Sequence, residues 1–487
     1  WGASYFGMTQ VALASNPKGL LTCLNPSMTS FTNLLWHPYG MYRVGFSGSA
    51  YIITSFTTQY KDMPPFDFDG WDDKGFARKL YFNPYFSLYN EPVDSDRLKL
   101  SDLAQMSKIK YQMKAINSLF NLNIKINQED DGSYLELLKA VFYDRRIKHD
   151  HKLLPHTFGQ DFKINTPMLM VTGIYDVFFE WTMEDLRQIQ KNSPELFKTN
   201  FKIIIGPWAH IHPLARTSLK SNILYFQYLM QMWWFDYWLR QDGSDLSKIP
   251  PVKVYVKNKK IWRNFNKWPP ETTETKIYLH SKGNANTRFG DGTLTKLEPK
   301  DEPPDKFDFN PSNPVIMRGG PNLFLLAGAQ NQIKQEDRND VLIYSTEKLQ
   351  QGIEVIGEVK IVFYASSSAK DTDFTIKIVD VYPSGRKALN IVNSGVRARF
   401  RNGDMNKPEL LEPGKIYKYE LYIGTTSILF KKNHRIRIEI SSSCFPEFDV
   451  NSNLAGEKIG KKYIIAHQTI YHDKEHPSHL ILPVFKS

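Results

Sequence analysis

Two short apolar runs in the middle of the chain constrain its fold more than any other feature. The run PMLMVTG at residues 167–173 and the run FKIIIG at 201–206 have the length and composition of buried strands. Between them, residues 183–190 carry apolar side chains at helical spacing. Buried strands that alternate with helices are typical of a parallel sheet, so the sequence predicts an α/β fold. A long helix over 222–240 is expected to follow.

Both predicted strands are followed by residues that can do acid–base chemistry. Asp176 comes shortly after the first run and His210 shortly after the second. Ser4 precedes both of them and lies between Gly2 and Gly7, as in a strand-to-helix turn that presents a nucleophile. Serine, acid and histidine follow one another in this order in α/β hydrolases. The three residues therefore predict a triad in which His210 activates Ser4 and Asp176 orients His210.

Each member of this triad also has a plainer interpretation. Ser4 could be a structural serine, because the usual turn has its second glycine two residues after the serine, where Phe6 stands. Asp176 could cap the helix that follows it. His212 lies two residues after His210 and competes with it as the base. Chain order and spacing together favour the triad.

The regions on either side of the α/β segment differ from it in their pattern of apolar residues. The start of the chain is predicted to hold a helix over 8–15 and a short strand over 20–24, and residues 34–160 carry amphipathic stretches that indicate a helical insertion. After Trp268 the sequence changes to short alternating runs with turn residues between them, typical of a β-sandwich such as a jelly roll. The expected order is the first part of an α/β-hydrolase core (1–33), a helical cap (34–160), the second part of the core (161–266) and a jelly-roll sandwich (267–487).

The formal net charge of +11 raises the question of a nucleic-acid partner. The lysines are interleaved with acidic residues, and their densest group is Lys257, Lys259 and Lys260. No Gly-rich phosphate loop or zinc-finger spacing accompanies them. We therefore expect a solvated basic surface and no nucleic-acid site.

The sequence has two cysteines, Cys23 and Cys444, which provide neither a disulfide framework nor a cysteine-based metal site. This favours a reducing compartment such as the cytoplasm without requiring one. The apolar stretch over 223–239 is interrupted by two glutamines and an aspartate, unlike a membrane span. No metal, cofactor or membrane partner is expected.

Several blocks of the sequence together resemble one family, the cocaine esterase and X-Pro dipeptidyl-peptidase family of serine hydrolases, and its esterase branch most closely. The blocks are GASYFG at 2–7, GIYDVF at 173–178, GPWAH at 206–210, ASSSAKDTDF at 365–374 and SSSCFPEFD at 441–449. The resemblance is weakest over 34–160. In this family a glycine three residues after the serine is normal, which agrees with Gly7.

The resemblance implies a role for each residue of the predicted site. Ser4 is implied as the nucleophile, Asp176 as the orienting acid and His210 as the general base. The backbone N–H of Tyr5 would be one oxyanion donor, because the residue after the nucleophile opens a helix. Phe178 matches a position that lines the acyl pocket of the esterase, although a core phenylalanine would look the same in sequence.

The family also has strands before its nucleophile turn and a tyrosine that completes the oxyanion hole. Nothing in this sequence corresponds to them, so the chain is expected to be N-terminally incomplete. Loss of one oxyanion donor typically lowers the rate by about 10²-fold or more. The isolated chain is therefore expected to be unstable or weakly active.

The resulting hypothesis is a serine hydrolase that cleaves esters or amides of small molecules or short peptides through an acyl-enzyme. An X-Pro dipeptidyl-peptidase or α-amino-acid ester hydrolase is the alternative, and it needs carboxylates that bind a substrate ammonium. Glu180, Glu184 and Asp185 are near enough in sequence, although surface acids on a helix are the favoured interpretation. A binding protein with a remnant hydrolase domain is the alternative from another class. The oligomeric state stays open.

Overall fold

The computed structural model describes residues 2–3, 10, 21–29, 163–210, 229–240, 249–321, 327–404, 407–445, 447–448, 450–455 and 463–486. The helical insertion expected over 34–160 lies outside these ranges, as does most of the helix expected over 8–15. The strands among the described residues form two sheets.

The first sheet has six strands in the order β1-β2-β3-β4-β5-β6. They are β1 (Gly2–Ala3), β2 (Pro26–Ser27), β3 (Met168–Tyr175), β4 (Phe201–Ala209), β5 (Val252–Val256) and β6 (Ile261–Phe265). Strands β1 to β5 run parallel, and β6 returns antiparallel to β5. Every residue of β3 and β4 is buried, as expected for central strands covered on both faces.

The prediction of a strand over 20–24 is wrong, because β2 begins at Pro26, two residues after the predicted end. Leu24 makes only an isolated bridge to Met168, and the chain stays on the sheet through Asn25 and Pro26. Proline has no N–H to donate to the ladder, and the side-chain amide of Asn25 donates to the Leu169 carbonyl instead, at 2.7 Å. The Asn-Pro pair therefore does not end the strand.

Two helices, α1 (Phe179–Asn192) and α2 (Pro194–Thr199), connect β3 to β4. The helix expected over 183–190 is thereby confirmed and is longer at both ends. Residues 229–240, the described part of the helix expected over 222–240, are helical, and the last turn is a π-helix, Asp236–Arg240.

Alternate side chains of β3 and β4 supply two apolar layers. Met168 and Ile203 pack with the inner face of α1 on one side of the sheet. Leu169 and Ile204 pack with Trp208 and Trp234 on the other side. Helices therefore cover both faces of the strands that precede Asp176 and His210.

The second sheet is built from the C-terminal half of the chain. Its strands are β7 (Thr273–His280), β8 (Thr293–Thr295), β9 (Asp305–Phe309), β10 (Leu342–Ser345), β11 (Ile353–Ser367), β12 (Asp373–Val381), β13 (Ala388–Arg397), β14 (Tyr417–Phe430), β15 (Arg435–Ser441), β16 (Ala466–Tyr471) and β17 (His479–Val484). They pair in the order β13-β12-β15-β10-β8-β7-β17-β11-β16-β9, and β14 pairs with β11. Short helical turns lie at α3 (Ile333–Glu336) and at a 3₁₀ turn, Ala398–Phe400.

Pairing in this sheet is antiparallel except between β8 and β10. Its apolar faces enclose one large core, to which β7, β9, β11, β12, β14 and β15 contribute. Of the expected fold class, an α/β core followed by a β-rich C-terminal unit is confirmed. We call this unit, which contains β7 to β17, the sandwich.

The two sheets are in direct contact. Lys257, just after β5, accepts a backbone hydrogen bond from Leu429 and donates one to Ser427, both at 2.9 Å. Ile356 of β11 belongs to the apolar core of the first sheet. The sandwich therefore packs against the α/β unit near α1.

Candidate active site

Asp176 and His210 meet at the carboxyl edge of the first sheet. Asp176 directly follows β3, and His210 directly follows β4. His210 Nδ1 lies 2.9 Å from Asp176 Oδ2, the carboxylate is fully buried and 10% of the histidine side chain is exposed. The structure thus brings together two of the three residues that the sequence predicted.

A bulge in β4 brings the two residues into register. Gly173 pairs with Gly206, but Tyr175 pairs with Ala209, so β4 contains one extra residue at this point. A bulge of this kind redirects the strand and the side chains beyond it. Without it, Asp176 would face Ala209 instead of His210.

The bulge depends on glycines at both positions. A Cβ on Gly173 would lie 2.2 Å from the backbone oxygen of Trp208, and one on Gly206 would lie 2.3 Å from the indole ring. Trp208 is fully buried between the strand ends. The two glycines of the GIYD and GPWAH blocks are therefore required by the close approach of Trp208.

Asp176 has two structural roles. Its Oδ1 accepts the backbone N–H of Phe178 at 2.7 Å, and its own N–H donates to the Gly173 carbonyl at 2.8 Å. Oδ2 is left to face His210. The helix-capping interpretation of Asp176 is wrong, because the N-cap of α1 is Phe178 and makes no side-chain cap hydrogen bond. One oxygen of Asp176 holds the turn that leads into α1, and the other faces the histidine.

The contact with Asp176 determines which nitrogen of His210 can act as a base. An ionised carboxylate only accepts hydrogen bonds, so Nδ1 carries the proton and Nε2 is the basic nitrogen. Phe178, buried at 2% exposure, packs edge-on against the imidazole with ring centroids 5.1 Å apart. This aromatic contact restricts rotation of the histidine ring.

Ser4 and Tyr5 lie outside the described residues, and so does His212. The strand directly before Ser4 is described: β1 runs parallel to β2, which runs parallel to β3. By this pairing, Ala3 at the end of β1 lies level with Ser27 and with Val171, five residues before Asp176. Ser4 therefore follows a strand that runs toward the same edge of the sheet as β3.

Two of the three acidic residues of α1, Glu180 and Asp185, are not the surface acids that the sequence favoured. Asp185 is 2% exposed, and both carboxylate oxygens of Glu180 accept hydrogen bonds from β14. Glu184 pairs with Arg187 at 2.8 Å and with Gln188 at 2.7 Å. The surface interpretation holds for Glu184, whose side chain is 39% exposed. It is wrong for Glu180 and Asp185, because α1 lies between the first sheet and the sandwich and two of its faces are covered.

Within the described ranges, no group of three or more histidine, cysteine, aspartate or glutamate side chains is arranged to hold a metal ion. Both cysteines are free. A helix with the length and apolarity of a membrane span is likewise not found among the residues described.

Two family models cover most of the chain. The model of the X-Pro dipeptidyl-peptidase (S15 family) matches residues 1–212, and that of the X-Pro dipeptidyl-peptidase C-terminal non-catalytic domain matches residues 245–481. Cocaine esterase of Rhodococcus sp. (strain MB1 Bresler) is 36% identical over 334 residues. This chain belongs to the cocaine esterase and X-Pro dipeptidyl-peptidase family. The match with cocaine esterase covers 66% of the chain and 57% of the esterase, so the chain spans little more than half of this family member.

Solved structures of the same fold agree with this assignment. An aminopeptidase from a marine sediment Thaumarchaeota archaeon matches with a TM-score of 0.72 and 20% identity, over 100% of this chain and 76% of that protein. An α-amino acid ester hydrolase matches with a TM-score of 0.71 and 20% identity, over 99% of this chain and 76% of that protein. At this identity the likeness supports the fold of the family, an α/β hydrolase with a β-rich C-terminal unit.

Proposed function

We propose that this chain carries the catalytic machinery of a serine hydrolase that cleaves carboxylic esters or amides through an acyl-enzyme. Its domains follow the division 1–33, 34–160, 161–266 and 267–487, in which the first and third segments form one α/β-hydrolase core. The observation that carries the proposal is the 2.9 Å contact between His210 Nδ1 and the buried Asp176 carboxylate. The strand before Ser4, β1, supports the proposal because it runs parallel to β3 in the same sheet.

The reaction would begin with attack of Ser4 Oγ on the substrate carbonyl. His210 Nε2 takes the hydroxyl proton as the new C–O bond forms, and Asp176 stabilises the resulting imidazolium. The backbone N–H of Tyr5 donates to the oxyanion. Collapse of the tetrahedral intermediate transfers the proton to the leaving group and gives the acyl-enzyme, which water hydrolyses by the same steps.

An acyl ester is the favoured substrate class. Phe178 already contacts the ring of His210, so an apolar acyl group near the base would meet an aromatic wall. The amino-ester or dipeptidyl-peptidase alternative requires free carboxylates for a substrate ammonium, whereas Glu180 and Glu184 are paired within the protein. Comparing hydrolysis of a phenyl ester with that of an X-Pro anilide separates the two activities.

The proposal is tested by intact mass after treatment with a fluorophosphonate, which labels a serine that is activated by a base. We expect one adduct on the chain, lost in Ser4→Ala. His210→Gln should also abolish it, whereas His212→Gln should retain it. An adduct that survives Ser4→Ala, or that depends on His212 instead of His210, would contradict the assigned site.

A further inference from the structure

The segment that carries Asp176 is attached to the C-terminal sandwich on both sides. Tyr175 precedes Asp176 and is the last residue of β3, while Glu180 follows four residues later in the first turn of α1. Each reaches a different strand of the sandwich. Asp176 and Phe178 lie between these two attachment points.

On one side, the buried hydroxyl of Tyr175 joins the sandwich to the end of β3. It accepts a hydrogen bond from Lys257 Nζ and donates one to the Asn390 carbonyl of β13 at 3.3 Å. Burial raises the pKa of Tyr175 far above its usual range, so the hydroxyl keeps the proton that it donates. The ammonium of Lys257 also lies over the phenol ring, 4.9 Å from its centroid.

On the other side, both oxygens of Glu180 are held by β14. Oε1 accepts the backbone N–H of Thr425 at 2.8 Å, and Oε2 accepts the hydroxyl proton of Tyr422. Gly424 between them has φ +150°, and a Cβ there would lie 2.8 Å from Glu180 Oε1. The carboxylate therefore sits directly against the backbone of β14.

A β-bulge shapes this contact. Val359 of β11 pairs with Gly424, but Lys360 pairs with Tyr422, which leaves Ile423 as an extra residue in β14. Bulges occur where a strand must redirect a side chain. Here the bulge separates Tyr422 from Thr425 so that the hydroxyl of one and the amide of the other reach the same carboxylate.

The charged neighbours of Glu180 complete the attachment of α1. Arg187, two turns further along, pairs with Glu358 of β11 at 2.5 Å and lies over the Tyr422 ring. Burial raises the pKa of Glu180 to about 7, and Glu358 adds to this, while the bonds from Tyr422 and Thr425 and the charge of Arg187 oppose it. Burial of the Glu180 carboxylate is thus unfavourable, and its contacts with Tyr422, Thr425 and Arg187 offset part of that cost.

We propose that Glu180, through Tyr422 and Thr425, is a positioning residue by which the C-terminal sandwich fixes the orientation of Asp176 toward His210. The inference rests on the proposed function of Asp176 and His210 as an acid–base pair. It gives the sandwich, which matches a domain described as non-catalytic, an indirect part in the reaction. Small displacements of a catalytic group are enough to lower rates strongly.

The test uses the full chain labelled with ¹⁵N-histidine, so that the imidazole nitrogens of His210 report on Asp176 without requiring turnover. The His210 signals are assigned with His210→Gln. Tyr422→Phe removes one hydroxyl and Glu180→Gln one charge, and Glu195→Gln, an exposed acid on α2, is the matched control. Circular dichroism and thermal melting establish that each variant is folded.

We expect Tyr422→Phe and Glu180→Gln to lower the population of the Nδ1–H tautomer of His210 and to shift its titration, while Glu195→Gln leaves both unchanged. In an Asp176→Asn background, Tyr422→Phe should have no further effect on the His210 signals, because the contact of Glu180 with Tyr422 and Thr425 acts on His210 through Asp176. With an ester substrate, kcat should fall about ten-fold and KM should stay constant. Unchanged His210 signals in folded Tyr422→Phe and Glu180→Gln would overturn the inference.

Failure of the proposed function gives a different result. In one outcome, Ser4 is not labelled by the fluorophosphonate, but the His210 tautomer still responds to Tyr422→Phe. That result supports the positioning role of Glu180 and contradicts only the assignment of Ser4 as the nucleophile. In the other outcome, Ser4 is labelled normally, but the His210 signals respond to neither variant. That result supports the hydrolase function and contradicts the positioning role of Glu180.

Discussion

Two aspartate–histidine pairs in this molecule have nearly the same oxygen-to-nitrogen distance and different surroundings. Asp176 Oδ2 lies 2.9 Å from His210 Nδ1, and Asp305 Oδ2 lies 2.8 Å from His472 Nε2. The first pair ends two parallel strands at a sheet edge. The second is enclosed in the sandwich, where His472 is fully buried. Distance alone therefore does not distinguish a reacting pair from a structural one.

The pair in the sandwich even has a serine beside it. Ser281 Oγ lies 2.7 Å from Asp305 Oδ2 and 3.1 Å from His472 Nε2. Tyr344 donates to the same carboxylate oxygen at 2.6 Å, and Ala285 N–H donates to the other at 2.8 Å. Because the serine proton and the histidine proton both point to Asp305, His472 has no basic nitrogen for Ser281. This cluster holds strands together and cannot generate a nucleophile.

Chain order does not separate the clusters either, since Ser281, Asp305 and His472 also follow the order serine, acid, histidine. Ser281 and His472 also directly follow strands, β7 and β16, but among the described residues those strands have only antiparallel partners. Asp176 and His210 each follow directly after a buried parallel strand, and one oxygen of Asp176 is committed to the turn into α1. A position at the carboxyl end of a buried parallel strand, and not at the end of any strand, therefore separates the candidate pair from the structural one.

The largest expected effect is that of Asp176→Asn on the reaction. A neutral amide does not stabilise the imidazolium, so we expect kcat with an ester to fall by about 10⁴-fold. The rate of fluorophosphonate labelling of the chain should fall with it. The matched change Asp305→Asn should leave the labelling rate of the folded protein unchanged. A similar loss in both variants would remove the functional distinction between the two pairs.

Asp305→Asn should instead affect stability. It leaves the buried imidazolium of His472 without its main partner, and breaking a buried ion pair typically costs about 3–5 kcal/mol. Urea unfolding followed by circular dichroism would measure the change in the free energy of unfolding. Equal or greater destabilisation by Asp176→Asn would contradict the assignment of the Asp305 pair as the structural one.

Much of the fold could be predicted from sequence because its signals are local. The apolar runs that became β3 and β4, the helix between them and the alternating runs of the sandwich each depend on residues close together in the chain. The error over 20–24 arose where a side chain, Asn25, replaced the hydrogen bond that Pro26 could not make. That compensation depends on Leu169, far away in sequence.

The site was predictable to the same extent. Asp176 and His210 could be found because each follows a recognisable strand. The pairing of Glu180 with Tyr422 could not be found, because the two residues lie 242 positions apart in the sequence. The burial of Asp185 could not be found either, because it depends on how α1 packs in the folded chain. Gly206 and Trp208 carried a local signal in GPWAH, but only the structure shows that the glycine accommodates the indole ring.

The smallest expected effect concerns the pH dependence of the Asp305 pair. Burial alone would raise the pKa of Asp305, but hydrogen bonds from His472, Ser281 and Tyr344 outweigh it and lower the pKa. Burial alone would lower the pKa of His472, but its hydrogen bond to Asp305 and the charges of Asp305 and Glu302 raise it above 6.5. Protonated His472 and ionised Asp305 are therefore the forms that the folded state prefers.

The sign of the pH effect follows from linkage. The contribution of His472 is fully present below pH 6.5 and is lost as pH rises through the higher pKa of the folded state, whereas that of Asp305 is lost as pH falls below 3.8. Unfolding in urea from pH 5 to pH 9 should show the wild-type free energy of unfolding decreasing above pH 6.5. His472→Gln should make this decrease less steep, and the remainder includes Glu180, whose pKa is raised to about 7. The slope should persist in His210→Gln, because the two pairs are separate. If His210→Gln flattened it and His472→Gln did not, the pH-sensitive pair would be the one at the sheet edge.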